Sequence, residues 1–339
     1  MWINNILQQG NKILALSPMA DMTDSPFCQI VRQIGGVDIV FREMVSSEAL
    51  VRDNEKTLKM IEFVEPERPI VQQIFGADPL TMARAANLVM ERVNPEGIDI
   101  NMGCPVYKIT SNFNGCALMK DPDKASKIIK EMKQAIGKTP LSVKIRLGWS
   151  DPDDFKKFIP VIEKAGADLI TIHGRTKEQG YSGKSDWSRI AEAKKIANIP
   201  VLANGDIHEH RQVSEALEVT GADGVLIARG ALGNPWFFKL AQAFVFHPER
   251  NETGLKNLPE TISLDERINI VLQHAKLHTN YYGERGITTF RKHLSWYFKT
   301  NKIGFDIPGL KEWRSKIVRV KTLEELEVLL GELLVLHLS

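Results

Sequence analysis

Eight short apolar runs alternate with helical stretches along the first 230 residues, and this alternation predicts an α/β fold, a closed parallel (β/α)8 TIM barrel. The spacing of the runs is even, and no GxGxxG follows the first run. Both observations disfavour an open, doubly wound sheet. The predicted strands are residues 13–19, 37–43, 69–75, 98–101, 141–147, 168–173, 200–204 and 224–229.

The stretches between the runs carry the start and stop signals of helices. Asp121-Pro122 and Asp151-Pro152 are typical N-terminal caps, and glycines at 137, 166 and 221 are typical helix ends. The repeated unit is therefore a strand followed by a helix. The predicted helices are residues 78–93, 122–136, 153–165, 187–196 and 207–220.

The strand pattern stops after Trp236, and the periodicity that follows is helical only, through residues 268–278, 288–299 and 323–336. We therefore expect two domains, a barrel in residues 1–245 and an all-helical C-terminal domain in residues 246–339.

Residues 281–320 hold nine Lys and Arg against three Asp and Glu, whereas the whole chain has a net charge of only +2. A basic helical domain on a near-neutral body is typical of a catalytic domain joined to a polyanion-binding one, and a solvated basic face is the alternative.

Composition excludes several classes of protein. With 43% hydrophobic and 25% charged residues, the chain is typical of a globular protein rather than of a disordered, collagenous or coiled-coil one. No apolar run approaches the roughly 18 residues that span a bilayer, and the N-terminus lacks the features of a signal peptide. We expect a cytoplasmic monomer that has no contact with membranes. The three cysteines form no CxxC, so neither a disulfide framework nor a metal site is predicted.

Polar residues stand where the apolar runs end. In a parallel barrel these C-terminal strand ends carry the catalytic groups. Burying an amide, a lysine and a histidine there costs free energy unless a ligand or partner satisfies them. The candidates are Ser17 to Met19, Glu43, Met44, Gln73, Asn101, Gly103 to Pro105, Lys144, Arg146, His173, Arg175, Asn204 to Asp206, Arg229 and Gly230.

Two glycine-bearing loops, at residues 203–207 and 227–236, follow the seventh and eighth runs. Many barrels bind phosphate at this position, through backbone N–H groups and a short helix N-terminus. Together with Lys144 and His173 on the fifth and sixth runs, the loops predict a flavin mononucleotide (FMN) at the barrel mouth. A sugar phosphate is the alternative ligand.

At this level of detail the sequence resembles the tRNA-dihydrouridine synthases, in particular their bacterial branch. GCP, then a barrel lysine, then HGRT at successive strand ends form a highly specific combination. The resemblance extends over most of the chain, through SPMADMTDSPF (17–27), EMVSSEAL (43–50), VQQIFGADP (71–79), DINMGCPVYKI (99–109), NGCALMKDP (114–122), VKIRLGW (143–149), TIHGRTKEQGYSGKSDW (171–187), LANGDI (202–207), IARGALGNPWFF (227–238) and FRKHLSWYFK (290–299).

The resemblance implies an FMN enzyme that uses NADPH, or NADH, to reduce the C5=C6 bond of specific uridines in tRNA. It implies that Cys104 is the catalytic acid, and we expect Asn101 and Arg175 to contact the substrate, although the sequence does not apportion His173 and Arg175 between flavin and tRNA. The implied FMN ligands are Pro18, Met19, Gln73, Lys144, His173, Asn204, Gly205, Asp206, Ala228 and Arg229.

The chemistry accounts for these residue types. Hydride from flavin N5 adds to C6 of the uridine, and Cys104 would deliver a proton to C5, because a cysteine thiol is mostly protonated near neutral pH. Pro105 limits the backbone next to that thiol. Lys144 would face the flavin N1/O2 edge, where negative charge accumulates on reduction. Cys28 and Cys116 are expected to be structural.

In the basic region, helical spacing places Phe290, Leu294, Tyr297 and Phe298 on one side of a helix and leaves Arg291 and Lys292 nearer the solvent. We therefore expect Arg291 and Lys292 to bind tRNA phosphates.

Two other functions remain open. One is a small-molecule FMN oxidoreductase acting on a free pyrimidine such as dihydroorotate, which the basic helical region disfavours. The other is a noncatalytic RNA-binding protein on a barrel scaffold, which the combination of Cys104, Lys144 and His173 disfavours.

Overall fold

A closed barrel of eight parallel strands forms the centre of the computed structural model, which describes residues 2–246, 262–303 and 306–338. Each strand pairs with the next along the chain, and β1 pairs with β8, where Ile13 lies opposite Gly224. The predicted (β/α)8 fold is confirmed. The strands are β1 (Ile13–Leu16), β2 (Ile39–Ser46), β3 (Ile70–Phe75), β4 (Gly97–Met102), β5 (Leu141–Arg146), β6 (Leu169–His173), β7 (Val201–Asn204) and β8 (Gly224–Ile227).

The predicted strands overran the observed ones most clearly at β1 and β8. Ser17 N–H still donates to Ile227 O at 2.8 Å, but Pro18 has no N–H with which to continue the ladder. Residues 17–19 and 228–229 therefore form loops at the barrel mouth, where their side chains and backbone face a ligand rather than a neighbouring strand.

Helices cover the outside of the barrel, and all five predicted ones are present. The last of them begins at Gln212 instead of Ile207, because the Gln212 side chain accepts from the N–H groups of His208 and Glu209 and holds these residues in a turn. The helices are α1 (Trp2–Leu7), α2 (Ser25–Ile34), α3 (Ser47–Val51), α4 (Glu55–Ile61), α5 (Pro79–Val93), α6 (Tyr107–Thr110), α7 (Pro122–Ile136), α8 (Phe155–Ala165), α9 (Trp187–Ile196), α10 (Gln212–Thr220) and α11 (Phe237–Phe246).

The C-terminal region is helical in all of its described secondary structure, as predicted. The boundary expected between residues 245 and 246 falls at the end of α11, and residues 247–261 lie outside the described residues, so the division into two domains stays a prediction. The helices are α12 (Leu264–Tyr282), α13 (Gly286–Tyr297), α14 (Thr300–Ile303), α15 (Leu310–Ile317) and α16 (Leu323–Leu338). Short 3-10 turns occur at Glu65–Glu67, Gly115–Lys120 and Gly283–Arg285.

The C-terminal helices share an apolar core that reaches the barrel through Ile30 of α2 and Trp236. The four residues predicted to face this core, from Phe290 to Phe298, are all fully buried. At Gly233, where φ is +67°, a Cβ would lie 2.3 Å from the carbonyl carbon of Trp296. The loop after β8 and α13 thus touch backbone to backbone, which fixes the helices beside the barrel mouth.

Among the described residues, no helix is long and apolar enough to cross a membrane.

Candidate active site

Two adjoining cavities open at the carboxyl ends of the strands, with volumes of about 650 and 850 Å³ including the space open to solvent. Sites for small ligands have volumes of this size. Asn101 and Cys104 line the second cavity. The residues predicted to bind flavin line one or both cavities, and they are Pro18, Met19, Gln73, Lys144, His173, Asn204, Gly205, Asp206, Ala228 and Arg229.

Lys144 projects from β5 into both cavities. Its Nζ donates to Asn204 Oδ1 at 3.0 Å, and Asn204 Nδ2 donates to Leu226 O at 2.6 Å, which fixes the orientation of the amide. Burial, reinforced by the charge of Arg146, lowers the pKa of Lys144 to about 8. No described residue places a carboxylate within 4.0 Å of this ammonium. The cavity wall therefore contains a cation that no described carboxylate contacts, although the charge of Asp99 acts on it from farther away, and an anionic group of a ligand can pair with it.

His173 ends β6 and lines both cavities. Burial and the surrounding cations, of which Lys144 is the strongest, lower the pKa of His173 well below its usual value, so the imidazole is neutral at physiological pH. Its Nε2 lies 3.2 Å from Arg175 Nη1. Because a guanidinium can only donate, Nε2 is the acceptor and Nδ1 carries the proton.

Arg175 lies beneath this surface, with only 2% of its side chain exposed. It donates to both carboxylate oxygens of Asp206, at 3.0 and 2.6 Å, and to the carbonyl oxygens of Ser182 and Gly183. Although burial raises the pKa of Asp206, the hydrogen bonds from Arg175 and from Ser185 N–H hold it below the usual value. The predicted contact of Arg175 with substrate stays a prediction, and the geometry favours a positioning role.

Gly205 allows the loop after β7 to pass close to His173. Its φ is +113°, and a Cβ at this position would lie 2.4 Å from Ser185 Oγ and 2.7 Å from His173 Cδ2. A larger residue would be strained at this φ and would have to displace Ser185, the imidazole or both. At the rim, Arg229 Nη2 lies 3.3 Å from Asp206 Oδ1 and its side chain is partly exposed.

A chain of side-chain hydrogen bonds runs along the wall of the second cavity. Gln73 of β3 lies opposite Asp99 of β4, and Gln73 Nε2 donates to Asp99 Oδ2 at 2.5 Å. Asn101 Nδ2 donates to Gln73 Oε1 at 2.9 Å, and Ser142 Oγ donates to Asp99 Oδ1 at 2.6 Å. Burial raises the pKa of Asp99 to about 6. The chain fixes both amides, whereas the neighbouring Gln72 donates to backbone carbonyls instead.

The same Asn101 holds the loop that carries Cys104. Asn101 Oδ1 accepts from the N–H groups of Gly103 and Cys104, at 3.1 and 2.9 Å, and Arg146 Nε donates to Gly103 O at 2.9 Å. Cys104 is half-buried and lines the second cavity together with Gln73 and Lys144. The thiol is therefore presented to the same space as the buried ammonium.

Cys28 and Cys116 are fully buried, in agreement with the structural role expected for them. Burial raises the pKa of Cys116 to about 12 and that of Cys28 well above its usual value. All three cysteines are among the described residues, and only Cys104 reaches the cavities.

Sequence reasoning did not select Asp99, Ser142 or Tyr181. A signal existed for the first two, because each stands two residues before a predicted site residue on the same strand, and alternate residues of a strand share a face. Tyr181 lies in a loop without periodicity. It lines both cavities, is 63% exposed, and its ring centroid lies 5.3 Å from Arg229 Cζ and 5.6 Å from Arg146 Cζ.

The basic residues predicted to bind tRNA do not line the cavities, and both have contacts within the chain. Arg291 Nε and Nη2 donate to Val320 O at 2.8 and 2.6 Å, while Lys292 Nζ lies 3.9 Å from Asp24 Oδ2. Their binding to tRNA phosphates stays a prediction. The basic residues of this region that are exposed include Lys299, Lys311, Lys316 and Arg319.

A barrel mouth that combines a buried lysine, a neutral histidine and a half-buried cysteine defines an enzyme site built for redox and proton-transfer chemistry. Residues 14–335 match the family model for dihydrouridine synthase. The chain belongs to the dihydrouridine synthase family.

Curated relatives extend over nearly the whole chain. The probable tRNA-dihydrouridine synthase 1 of Synechocystis sp. is 36% identical over 318 residues, 93% of this chain and 84% of its own length. The tRNA-dihydrouridine synthase B of Pseudomonas syringae pv. tomato is 37% identical over 92% of this chain and 88% of its own length. The probable tRNA-dihydrouridine synthase of Aquifex aeolicus is 34% identical over 94% of both chains.

Solved structures with the same barrel are distant in sequence. Histamine dehydrogenase from Rhizobium sp. 4-9 has a TM-score of 0.52 at 12% identity and covers 78% of this chain and 48% of its own. TcOYE with pHBA has a TM-score of 0.52 at 10% identity and covers 68% of this chain and 88% of its own. These similarities support the fold.

We expect Asn101→Ala to loosen the Cys104 loop, because two backbone N–H groups lose their acceptor, at a cost of about 1–3 kcal/mol for each group that stays buried. Alkylation of Cys104 by iodoacetamide, followed by mass spectrometry, should become at least about ten-fold faster. Gln72→Ala is the matched control, because it deletes a buried amide that does not touch the loop. Equal alkylation rates in Asn101→Ala and wild type would mean that other contacts hold the loop.

Proposed function

We propose that this chain is a tRNA-dihydrouridine synthase that binds FMN and uses NADPH to reduce the C5=C6 bond of particular uridines in tRNA. The observation that carries the proposal is that Cys104, Lys144 and His173 line one continuous mouth. Membership of the family and the names of the curated relatives support tRNA as the substrate.

The residues present fit a flavin mononucleotide. Lys144 lies at the wall shared by the two cavities, and its ammonium contacts no described carboxylate. The first cavity ends at the glycine-bearing loops of residues 204–206 and 228–229, where barrels bind phosphate. Gln73 and Asn101 have amides of fixed orientation. A bound flavin would supply the hydride that C6 of a uridine requires, after taking it from NADPH.

The chain's own residues supply the rest of the chemistry. Cys104 Sγ donates a proton to C5 of the uridine, and the backbone bonds to Asn101 Oδ1 keep the thiol in place. Lys144 would place a positive charge beside a bound flavin and would stabilise negative charge that the ring gains on reduction. His173 is neutral and carries its proton on Nδ1, so it can donate one hydrogen bond to a ligand without adding a positive charge to the site. Cys104 then regains a proton from solvent, which reaches the thiol because Cys104 is only half-buried.

For tRNA, the exposed cations of the C-terminal region are better candidates than the two predicted ones. Lys299 lies beside Trp296 and Lys316 beside Trp313, with each Nζ about 5 Å from the ring centroid, and both lysines are exposed. Arg291 instead ties α13 to the chain after α15. We therefore propose that Lys299, Lys311 and Lys316 supply much of the phosphate contact, and that Arg291 acts mainly through the position of α13.

Replacing Cys104 by Ala should leave FMN and tRNA affinity unchanged and slow turnover by about 10²- to 10⁴-fold, since it removes a positioned general acid. The measurement is the single-turnover oxidation of prereduced protein by tRNA, followed by flavin absorbance. Cys116→Ala, which changes a buried thiol outside the cavities, should react at nearly the wild-type rate. Equal rates for Cys104→Ala and wild type would reject the role as acid.

Lys144 predicts how flavin reduction depends on pH. A lysine whose pKa is lowered to about 8 is charged below that pH and neutral above it. Reduction of the bound flavin by NADPH should therefore slow as pH rises through about 8 or higher, while Lys144→Met should be at least about ten-fold slower at pH 7 and lack this fall. Lys138→Met, an exposed lysine outside the cavities, is the control in stopped-flow measurements. A wild-type pH profile retained in Lys144→Met would show that another group titrates.

A further inference from the structure

Three histidines and one aspartate meet away from the cavities, where α12 and α13 pack against the start of α2. Asp24 is the N-cap of α2, His274 and His278 lie one turn apart on α12, and His293 lies on α13. All four are buried, and one potential ligand atom from each lies within 4.8 Å of the others. We call these four residues the histidine cluster.

Each histidine of the cluster has a buried ring nitrogen that lacks a hydrogen-bond partner among the described residues. These atoms are His274 Nε2, His278 Nδ1 and His293 Nε2. Leaving a buried polar atom unpaired costs free energy, and native proteins rarely do so. Three such atoms in one place indicate a partner that they share.

The outer hydrogen bonds set which nitrogen of His278 carries a proton. Thr289 Oγ1 lies 2.9 Å from His278 Nε2 and 3.1 and 3.0 Å from the carbonyl oxygens of Arg285 and Gly286. With its one hydrogen on a carbonyl, Oγ1 accepts from His278 Nε2, and His278 Nδ1 then presents a lone pair to the cluster. A metal-bound histidine has this arrangement, in which the second nitrogen donates outward.

His274 has an equivalent outer contact. Its Nδ1 lies 3.0 Å from the hydroxyl oxygen of Tyr297, which leaves Nε2 to face the cluster. The rings of His274 and His293 are close, with centroids 4.6 Å apart, and His278 lies within 6.1 Å of His274. Two of the three imidazoles are thus oriented from behind by hydroxyl groups.

Two acceptors face each other at the centre of the cluster. His278 Nδ1 lies 3.4 Å from Asp24 Oδ2. Asp24 Oδ2 also accepts from the hydroxyl of Tyr282 at 3.1 Å, and His278 Nδ1 has no hydrogen-bond partner among the described residues. Lys292 Nζ is 3.9 Å from the same carboxylate oxygen, too far for a hydrogen bond.

We propose that the histidine cluster binds one Zn²⁺ through three imidazole nitrogens and the Asp24 carboxylate. Three neutral nitrogens and one carboxylate oxygen suit zinc in a closed, tetrahedral structural site. Zinc bonds of roughly 2.0–2.1 Å place ligand atoms roughly 3.3–3.5 Å apart, and the 3.4 Å between His278 Nδ1 and Asp24 Oδ2 already has this value. Rotation of the imidazole rings would shorten the longer distances between ligand atoms, all of which are within 4.8 Å.

The ion would link the barrel to the C-terminal helices. Asp24 belongs to the barrel, whereas the histidines belong to α12 and α13, so the ligands come from both sides of one interface. Lys292, whose side chain is 27% exposed, can swing to water when the ion takes its place beside Asp24. The site contains no residue of the proposed chemistry and does not depend on it. The proposed site differs from the sequence expectation, which included no metal site. A signal existed in the sequence, because His-x-x-x-His on a helix is a metal-ligand spacing.

The test uses the full chain as purified, produced without a histidine tag and dialysed against metal-free buffer. Elemental analysis should find one zinc per chain. X-ray absorption at the zinc edge should show four nitrogen or oxygen neighbours at roughly 2.0–2.1 Å and no sulfur. Removing the metal with a chelator should lower Tm by several degrees, and adding Zn²⁺ should restore it.

Variants identify the site. His278→Gln should lose the zinc, and Thr289→Val should keep all four ligands but bind zinc about 10- to 100-fold more weakly. His337→Gln, which changes an exposed histidine outside both the cluster and the cavities, should bind zinc like wild type. If His278→Gln fails to fold, Thr289→Val and the X-ray absorption of wild type still decide. The proposal is overturned if wild type neither contains zinc nor takes it up, if sulfur is a ligand, or if His278→Gln folds and retains the metal.

Discussion

The site depends on the hydrogen bonds that the carboxamide of Asn101 makes. Its nitrogen donates to Gln73 Oε1, within the chain of hydrogen bonds that ends at buried Asp99, and its oxygen accepts from the N–H groups of Gly103 and Cys104. One side chain therefore couples the wall of the cavity to the loop with the proposed acid. Because the amide is bonded at both ends, the thiol is held relative to the wall before any substrate arrives, which is the condition for efficient proton transfer.

On the other side of the mouth, burial shifts the pKa values of Lys144 and His173. Burial disfavours the charged forms of Lys144 and His173, so the histidine is neutral and the lysine ammonium is held at a cost in free energy. The apolar packing of the closed barrel offsets that cost. Arg175 and Asp206 hold the loops around His173 from beneath the surface of the cavity. This arrangement agrees with a flavin site that is largely formed in advance.

The sequence predicted the barrel and the helical C-terminal region, and the ten residues that it predicts to bind flavin all line the mouth, because strand ends in a parallel barrel converge and the family motifs are specific. It overran β1 and β8, since apolar composition continues into loops where Pro18 ends the ladder. It also missed contacts made across long separations. Asn101 with Gln73, Arg291 with Val320, and Asp24 with the three histidines depend on how separate elements pack, and no local periodicity encodes that packing.

The central claim, that this chain reduces uridines within tRNA, is tested most directly by the mass of the product. The purified protein is incubated with NADPH and either an unmodified tRNA transcript or free uridine, with dihydroorotate oxidation measured in parallel. We predict a gain of two hydrogens at one or a few uridines of the tRNA, located by fragment mass spectrometry, and no comparable conversion of the small molecules. Unchanged tRNA together with rapid turnover of a free pyrimidine would contradict the account.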